Sequence, residues 1–288
     1  MSDTAIRLGV DVGASLAKFA LAVHGDTRLP SFELLPSTNL QAVANHVRAL
    51  EPTRVGLTGG GAARLLALLD CPCESAGEFD AWGAGAMQLL PLASDGPAPG
   101  DDFLLVSLGT GTGIFLVQSG QTKRVGGTGI GGGAVVGLGR ALAGVGFKKL
   151  CALAERGDSA AVDLRVSDVY GDEAFALAAD LTAANFGKLA REASESSRLT
   201  EPNEKDRADR AAGVMRLVGE TVALICAGLS ATTAVDQVVY GGSTLRQNPC
   251  LVGVLTEVTA LCGLQSCFLP HGGFAGAVGA LEMTRAPA

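Results

Sequence analysis

Histidine and positive charge are both in short supply in this chain. Its three histidines, His24, His46 and His271, stand far apart, and none falls in a pattern that would build a metal site or activate a nucleophile. Lysine and arginine number 22 against 29 aspartates and glutamates, a formal net charge of −7. A phosphate backbone demands clustered cations, so this balance argues against a general nucleic-acid binder. Seven cysteines are scattered, and only Cys71 and Cys73 lie close together. That spacing is too tight for the usual zinc site and no second pair accompanies it, so the cysteines read as reduced, mostly buried thiols. No uninterrupted apolar run reaches the ~18 residues of a membrane span. The start, MSDTAIRLGVDVG, has no basic region followed by an apolar one, which makes the cytoplasm the expected location.

Glycine is what the chain has in plenty, and it gathers at the ends of strand-like runs. The stretch Gly126 to Gly133, GGTGIGGG, follows Arg124 and Val125 and runs into the apolar segment Ala134 to Leu142. Its backbone can approach a ligand closely. A helix starting near Ile130 to Ala134 would aim unpaired N–H groups at whatever lies above it, which favours an anion. One wall of a phosphate site is the chemical reading, and a glycine-rich turn without a ligand is the plain one.

Taken in order, Ile6 to Val10 is a short strand, and residues 11 to 23, DVGASLAKFALAV, carry a hairpin signal at Gly13-Ala14-Ser15. Asp11 can hold Mg²⁺ or its waters, Ser15 and the turn amides can hold phosphate oxygens, and Lys18 can neutralise a transferred phosphoryl group. An ordinary hairpin with an Asp in its turn would look the same. Residues 29 to 36 read as a further strand, Asn39 to Leu50 as a helix capped by Thr38 or Asn39, and Arg54 to Leu57 as a strand. Thr58 to Gly61 then leads into a helix over Ala62 to Leu69. Gly77-Glu78-Phe79-Asp80 opens a helix over Ala81 to Leu90. Two carboxylates two apart cannot share a helix face, so Glu78 and Asp80 point to different places, and helix-start decoration accounts for either.

The loop Ser94 to Asp102 marks a domain boundary, giving expected domains of 1–100 and 101–288. Beyond it the pattern restarts: strand Phe103 to Leu108, turn Gly109-Thr110-Gly111-Thr112-Gly113, strand Ile114 to Gln118. Strand, phosphate-type turn and strand thus occur twice, at Val10 to Ala22 and at Val106 to Val117. Two related domains clamping nucleotide phosphates between their hairpins are the implied arrangement. After residue 143 helices are expected over Phe147 to Glu155, Leu181 to Ala193 and Asn203 to Thr232. The last has an apolar stripe of Ala208, Ala211, Met215, Val218, Val222 and Ile225, with Gly213, Gly219 and Gly228 letting a neighbour come close. A strand over Gln237 to Tyr240 ends in Gly241-Gly242-Ser243. Leu251 to Leu261 and a small-residue helix over Phe274 to Met283 complete the chain.

In the segments DVGASLAK, LTGGGA, GEFDA, LGTGTG, RVGGTGIGGG, DLTAANFG, GGS and GGFAGAVGAL, in one order over nearly the whole length, the chain resembles the type II pantothenate kinases of the actin, hexokinase and Hsp70 superfamily. The resemblance implies an α/β fold of two ribonuclease-H-like domains with the nucleotide site in the cleft between them. It implies MgATP-dependent phosphorylation of the primary hydroxyl of pantothenate in the first step of coenzyme A biosynthesis, with ATP and Mg²⁺ as cofactors. A homodimer with a small-molecule substrate, and with neither nucleic acid nor membrane as partner, goes with it. It points to Glu78 as the base, to Arg124 as a substrate contact, and to Asp11, Ser15 and Lys18 for metal and phosphate. The nucleotide would meet Gly13, Ser15, Lys18, Gly109, Thr110, Gly111, Thr112, Gly131, Gly132, Gly133, Gly242 and Ser243. The acceptor would meet Glu78, Gly113, Arg124, Gly126 and Gly127. Elementary chemistry suits these roles, since a carboxylate can take a hydroxyl proton and a guanidinium fork can hold a substrate carboxylate. Two positions depart from the family: Gly13-Ala14-Ser15 stands for the usual Gly-Gly-Thr, and Gly113 stands where the family has a serine that helps bind pantothenate. A kinase of the same fold acting on pantetheine or a sugar, and a catalytically silent nucleotide-binding regulator, are the other expectations.

Overall fold

The computed structural model describes residues 5–23, 29–94, 96, 102–171, 181–195 and 201–284. They form two compact units, one of residues 1–126, 237–243 and 267–288, the other of residues 127–236 and 244–266.

The first unit begins with β1 (Ile6–Val12), β2 (Leu16–Val23), β3 (Ser31–Pro36), α1 (Leu40–Ala49), β4 (Arg54–Thr58), α2 (Ala62–Leu66), β5 (Cys73–Ser75) and α3 (Glu78–Leu89). The strands lie in the order β3-β2-β1-β4-β5, with β1 antiparallel to β2 and parallel to β4. Alternation along β1 sends Leu8, Val10 and Val12 to a core with Val43, Ala44 and Val47 of α1 and Leu65 of α2. Asn39 caps α1 by accepting from the Ala42 amide at 3.1 Å. Helix α2 stops at Leu66, three residues short of expectation, because Leu68 and Leu69 donate three residues back to Leu65 and Leu66 and tighten the chain into a turn. β5 was hidden from the sequence by Pro72 in its approach.

The chain continues with β6 (Phe103–Leu108), β7 (Thr112–Gln118) and β8 (Gln121–Thr128). Through the second unit come α4 (Gly132–Leu138), α5 (Phe147–Ala154), β9 (Leu164–Arg165), α6 (Val166–Tyr170), β10 (Thr182–Ala184), α7 (Gly187–Glu195) and α8 (Glu204–Thr233). Then follow β11 (Gln237–Gly241), α9 (Pro249–Leu261), β12 (Gln265–Phe268) and α10 (Ala275–Met283). The second five-stranded sheet has the order β12-β11-β6-β7-β8. The loop expected as a boundary falls between the strands of one sheet and those of the other, and most of it lies outside the described residues.

Helix α10 organises the first unit. A Cβ on Gly9 of β1 or Gly56 of β4 would overlap carbonyls of Ala277 or Ala280, and one on Gly279 would overlap the Ala81 carbonyl of α3. The helix therefore lies backbone to backbone on the sheet and on α3, as its small-residue composition allows. Trp82, Ala86 and Leu89 of α3 share a buried cluster with Ala277, Val278 and Leu281 of α10 and with Phe103, Leu105, Phe115 and Val117 of the second sheet.

The second unit is built on α8. Asn203 and Asp206 form a reciprocal cap at its start. Ala208, Ala211, Met215, Val218 and Val222 are buried as the stripe requires, while Ile225 is half-buried. Side chains fill the space beside two of its glycines, Phe186 and Val162 at Gly213 and Val254 at Gly219, whereas Gly228 borders open space. By length and composition α8 matches a membrane span, yet most of its apolar stretch is buried in the protein, which marks a core helix. The helix expected over Leu181 to Ala193 is instead β10 followed by α7. Glu220 of α8 accepts from both the amide (2.9 Å) and the hydroxyl (2.6 Å) of Thr182, and Asp163 accepts from the Phe186 amide at 2.7 Å. These buried carboxylates hold the segment extended and override its helical spacing.

Candidate active site

Two hairpins carry the site. In the first, Gly13 donates to the Leu16 carbonyl at 3.0 Å, Val12 pairs with Ala17, and Asp11 stands directly opposite Lys18. Lys18 Nζ lies 2.9 Å from Asp11 Oδ2, with both residues buried. A buried ion pair costs desolvation that apolar residues would avoid, so its presence in a core strand asks for a chemical reason. Glycines crowd the carboxylate. A Cβ on Gly276 would sit 2.8 Å from Asp11 Oδ2, and one on Gly59 would sit 2.5 Å from Asp11 Oδ1. Any larger residue at either place would displace the carboxylate or fill the space beside it.

The second hairpin repeats the first with different contents. Its turn is Gly109-Thr110-Gly111 alone, closed by Gly109 donating to the Gly111 carbonyl at 2.9 Å. Strand β7 already begins at Thr112, which pairs with Leu108, so Gly113 lies in the strand opposite Ser107 and not in the turn. The two turn tips touch, Ser15 Oγ lying 3.0 Å from Thr110 Oγ1. Each hairpin is also flanked by a parallel strand that ends in the same way. Thr58 of β4 stands beside Asp11 and is followed by Gly59 at φ +86°; Gly241 of β11 stands beside Ser107 and is followed by Gly242 at φ +121°. A Cβ on Gly59 would meet the Val12 carbonyl at 2.7 Å, and one on Gly242 would overlap the Leu108 carbonyl. Only glycine takes that conformation against a backbone so close. Gly242 donates to the Gly272 carbonyl at 3.1 Å, and Gly273 lies against Ser243.

Glu78 is the first residue of α3 and is exposed, with Gly77 as the cap. Partial burial of its carboxyl, and then the negative charge of Asp11, raise its pKa above the ordinary 4.5, while Lys18 opposes the rise. Glu78 is thus within electrostatic reach of the buried pair. Asp80 turns back instead, its Oδ2 lying 2.8 Å from the place of a Cβ on Gly77, as expected of a helix-start residue. Arg124 projects from β8 and is exposed, and among the described residues no carboxylate pairs with it.

The glycine run is divided. β8 continues through Gly126 and Gly127 to Thr128, further than the expected end at Val125, and Gly127 has φ +152°. Gly131 caps α4, and Gly132 and Gly133 are its first two residues. The first unit contains Asp11, Gly13, Ser15, Lys18, Glu78, Gly109 to Gly113, Arg124, Gly126, Gly242 and Ser243, of which the two hairpin turns and the Asp11–Lys18 pair are in contact, while Gly127 and Gly131 to Gly133 belong to the second. Sequence reasoning pointed to Thr58–Gly61 as a second ligand-facing turn but missed Gly276 and the indole of Trp82, whose Nε1 shares the surroundings of Gly276 with Asp11. The glycine in GGFAGAVGAL was a signal, but it was read only as tight packing.

A family model described as Fumble matches residues 87–283. A type II pantothenate kinase of Oceanobacillus iheyensis is 34% identical over 276 residues, covering 96% of this chain and 98% of the relative. One of Staphylococcus saprophyticus is 32% identical over 279 residues, covering 96% and 100%. Among solved structures, component A of the (R)-2-hydroxyglutaryl-CoA dehydratase of Acidaminococcus fermentans superposes with a TM-score of 0.62 at 18% identity, covering 96% of each chain. A ROK-family glucokinase of Streptomyces griseus, solved with glucose and AMPPNP, gives 0.58 at 14%, covering 96% and 98%. At such identities the likeness is one of fold, that of the actin and hexokinase superfamily.

Proposed function

The chain belongs to the type II pantothenate kinase family, and from that premise we propose that it transfers the γ-phosphoryl group of ATP to the primary hydroxyl of pantothenate, the first step of coenzyme A biosynthesis. The observation that carries the residue assignment is the buried Asp11–Lys18 pair, whose charges are felt by the Glu78 carboxyl. As the hydroxyl oxygen bonds to phosphorus and the bond to ADP breaks, Glu78 takes the hydroxyl proton. Its raised pKa brings it nearer to the proton affinity a base needs. Lys18 neutralises charge that develops on the transferred group.

Mg²⁺ fits Asp11. Gly59 and Gly276 keep side chains off this carboxylate, a hard oxygen donor, and a magnesium site commonly needs one or two carboxylates with the rest supplied by water and phosphate. Bound there, the ion would supply charge neutralisation to the ATP phosphates. The amides of Ala14, Ser15, Thr110 and Gly111 would hold phosphate oxygens, those of Gly13 and Gly109 being used to close their turns. Gly242 and Ser243 would face the nucleoside. Arg124, with Gly126 and Gly127 beside it, would hold the pantothenate carboxylate in its fork. The expected lobes 1–100 and 101–288 would carry one hairpin each, whereas by compactness both hairpins fall in the first unit. Family resemblance supports a cytoplasmic homodimer as part of the same reading, and sedimentation velocity would weigh it.

ADP release from MgATP, measured with pantothenate, pantetheine, N-acetylglucosamine and no acceptor, tests the assignment. Pantothenate should stimulate release, and Glu78→Gln should lower it by about 10²–10⁴-fold. Preference for another acceptor would favour the second reading, a kinase of the same fold with a different substrate, for which Gly113 is the specific motive. ATP binding without stimulated turnover by any acceptor would leave a silent nucleotide-binding protein.

A further inference from the structure

We propose that the exposed ring of Phe79, seated on Phe115, is a specificity determinant that receives the branched alkyl carbon next to the reactive hydroxyl, a role that presupposes the kinase reading above. Phe79 follows Glu78 in the first turn of α3 and is 41% exposed. The other large apolar residues of that helix fall into two groups, Trp82 and Leu89 in the core and Met87 more than two turns further along. A phenyl ring in a first helical turn does nothing for capping or for the helix dipole. It does pack on Phe115, with ring centroids 5.3 Å apart and planes at 43°.

Phe115 is fixed in turn. It is 3% exposed and belongs to the cluster shared by α3, α10 and the second sheet. It stands two residues beyond Gly113 on β7, hence on the same face. A Cβ at Gly113 would lie 3.0 Å from the ring's Cζ and 3.4 Å from its Cε2. Any side chain at 113 would push the ring, so glycine there is what lets Phe115 stand where it does. The chain of support runs from Gly113 through Phe115 to Phe79.

Successive helical residues diverge by about 100°, so Phe79 cannot take the place of the Glu78 carboxylate. It forms a side wall instead. In pantothenate the carbon bearing the primary hydroxyl is bonded to a quaternary carbon with two methyl groups. With Glu78 on the hydroxyl, those methyls lie beside the base, where an aromatic face gives them an apolar contact. A sugar offers only hydroxyls at that place, and they would lose their water against the ring.

The test compares pantothenate with its analogue lacking both methyls, in the full-length enzyme with saturating MgATP. The wild type should favour pantothenate by about tenfold in kcat/KM, the effect of burying two methyl-sized groups. Phe79→Ala should raise the KM for pantothenate about tenfold and leave that for the analogue unchanged, so that the preference disappears. It should leave kcat and the KM for MgATP within about threefold, because the ring makes uniform binding contacts and takes no part in the chemical step. Phe79→Leu should restore part of the preference, and Gly113→Ser, by displacing Phe115, should weaken it less than Phe79→Ala does. Calorimetry supplies a readout apart from turnover: the negative heat-capacity change on binding pantothenate should shrink in Phe79→Ala. Equal KM changes for both acceptors, or none, would overturn the role of Phe79 while leaving the kinase reading intact. A wild type that pantothenate does not stimulate would overturn both. Should Phe79→Ala melt below the assay temperature, Phe79→Leu and Gly113→Ser decide, and an unchanged preference in these two would also overturn it.

Discussion

The two hairpins have one backbone and two chemistries. One residue pair back from the last pair before the turn, the first hairpin has Asp11 opposite Lys18 and the second has Ser107 opposite Gly113. Both are flanked by a parallel strand ending in a glycine with positive φ, and both turn tips carry a hydroxyl, Ser15 and Thr110, that meets the other. The backbone device is shared because presenting amides to a ligand needs only a tight turn and close support. On the proposed mechanism the side chains differ because charge is needed once. A second buried ion pair would add desolvation cost without a second reacting group to serve.

Breaking the first hairpin should therefore have the largest effect. Lys18→Met should lower turnover by about 10²–10³-fold through loss of transition-state stabilisation. It should also destabilise the fold by about 3–5 kcal/mol, since Asp11 would be left buried and unpaired. The double variant Asp11→Asn/Lys18→Met should recover part of the stability and none of the activity. Ser107→Ala, at the matching place in the second hairpin, should change stability by no more than about 0.5–1.5 kcal/mol. Steady-state rates and urea unfolding of all the variants check the contrast.

A smaller effect separates the two flanking glycines. Gly59→Ala and Gly242→Ala should each cost about 1–3 kcal/mol in urea unfolding from strain and overpacking. Of the two, Gly59→Ala should lose more turnover per unit of stability, because its methyl also intrudes on Asp11 Oδ1.

The mildest test is the pH profile. If Glu78 is the base proposed above, kcat/KM should fall as pH drops through its pKa, which lies above the ordinary 4.5. Lys18 lowers that pKa, so the residual activity of Lys18→Met should show its acidic limb at higher pH than the wild type, whereas Ser107→Ala should leave the limb in place. The linkage to stability has the opposite sense. A carboxyl whose folded pKa is raised favours the fold in its protonated form, and that contribution is lost as pH rises through the folded value.

Much of this was legible along the chain. The β1–β2 and β6–β7 hairpins announced themselves by apolar runs broken at small residues, and the Asn203 cap and apolar stripe announced α8. Glu78 and Asp80 were separable by helix geometry alone, and Asp80 does turn back to the helix start. The segment from Leu181 was misread because spacing cannot reveal that Glu220, 38 residues beyond Thr182, would accept its hydrogen bonds and hold it extended. Gly113 was placed in a turn because a run of alternating glycine and threonine does not say where pairing resumes; the Leu108–Thr112 register does.

By itself the sequence determined which residue types exist for the chemistry and where the backbone can bend, because hydrophobic period, turn residues and caps act over a few neighbours. Tertiary structure alone decided that Asp11 is buried against Lys18 under two glycines from distant segments, that Ser15 meets Thr110, and that Phe115 stands where a side chain at Gly113 would be. The glycines over Asp11 and the meeting of Ser15 with Thr110 join residues far apart in the chain, set by how α10 beds on the sheet and how strands pair, and no local preference encodes them.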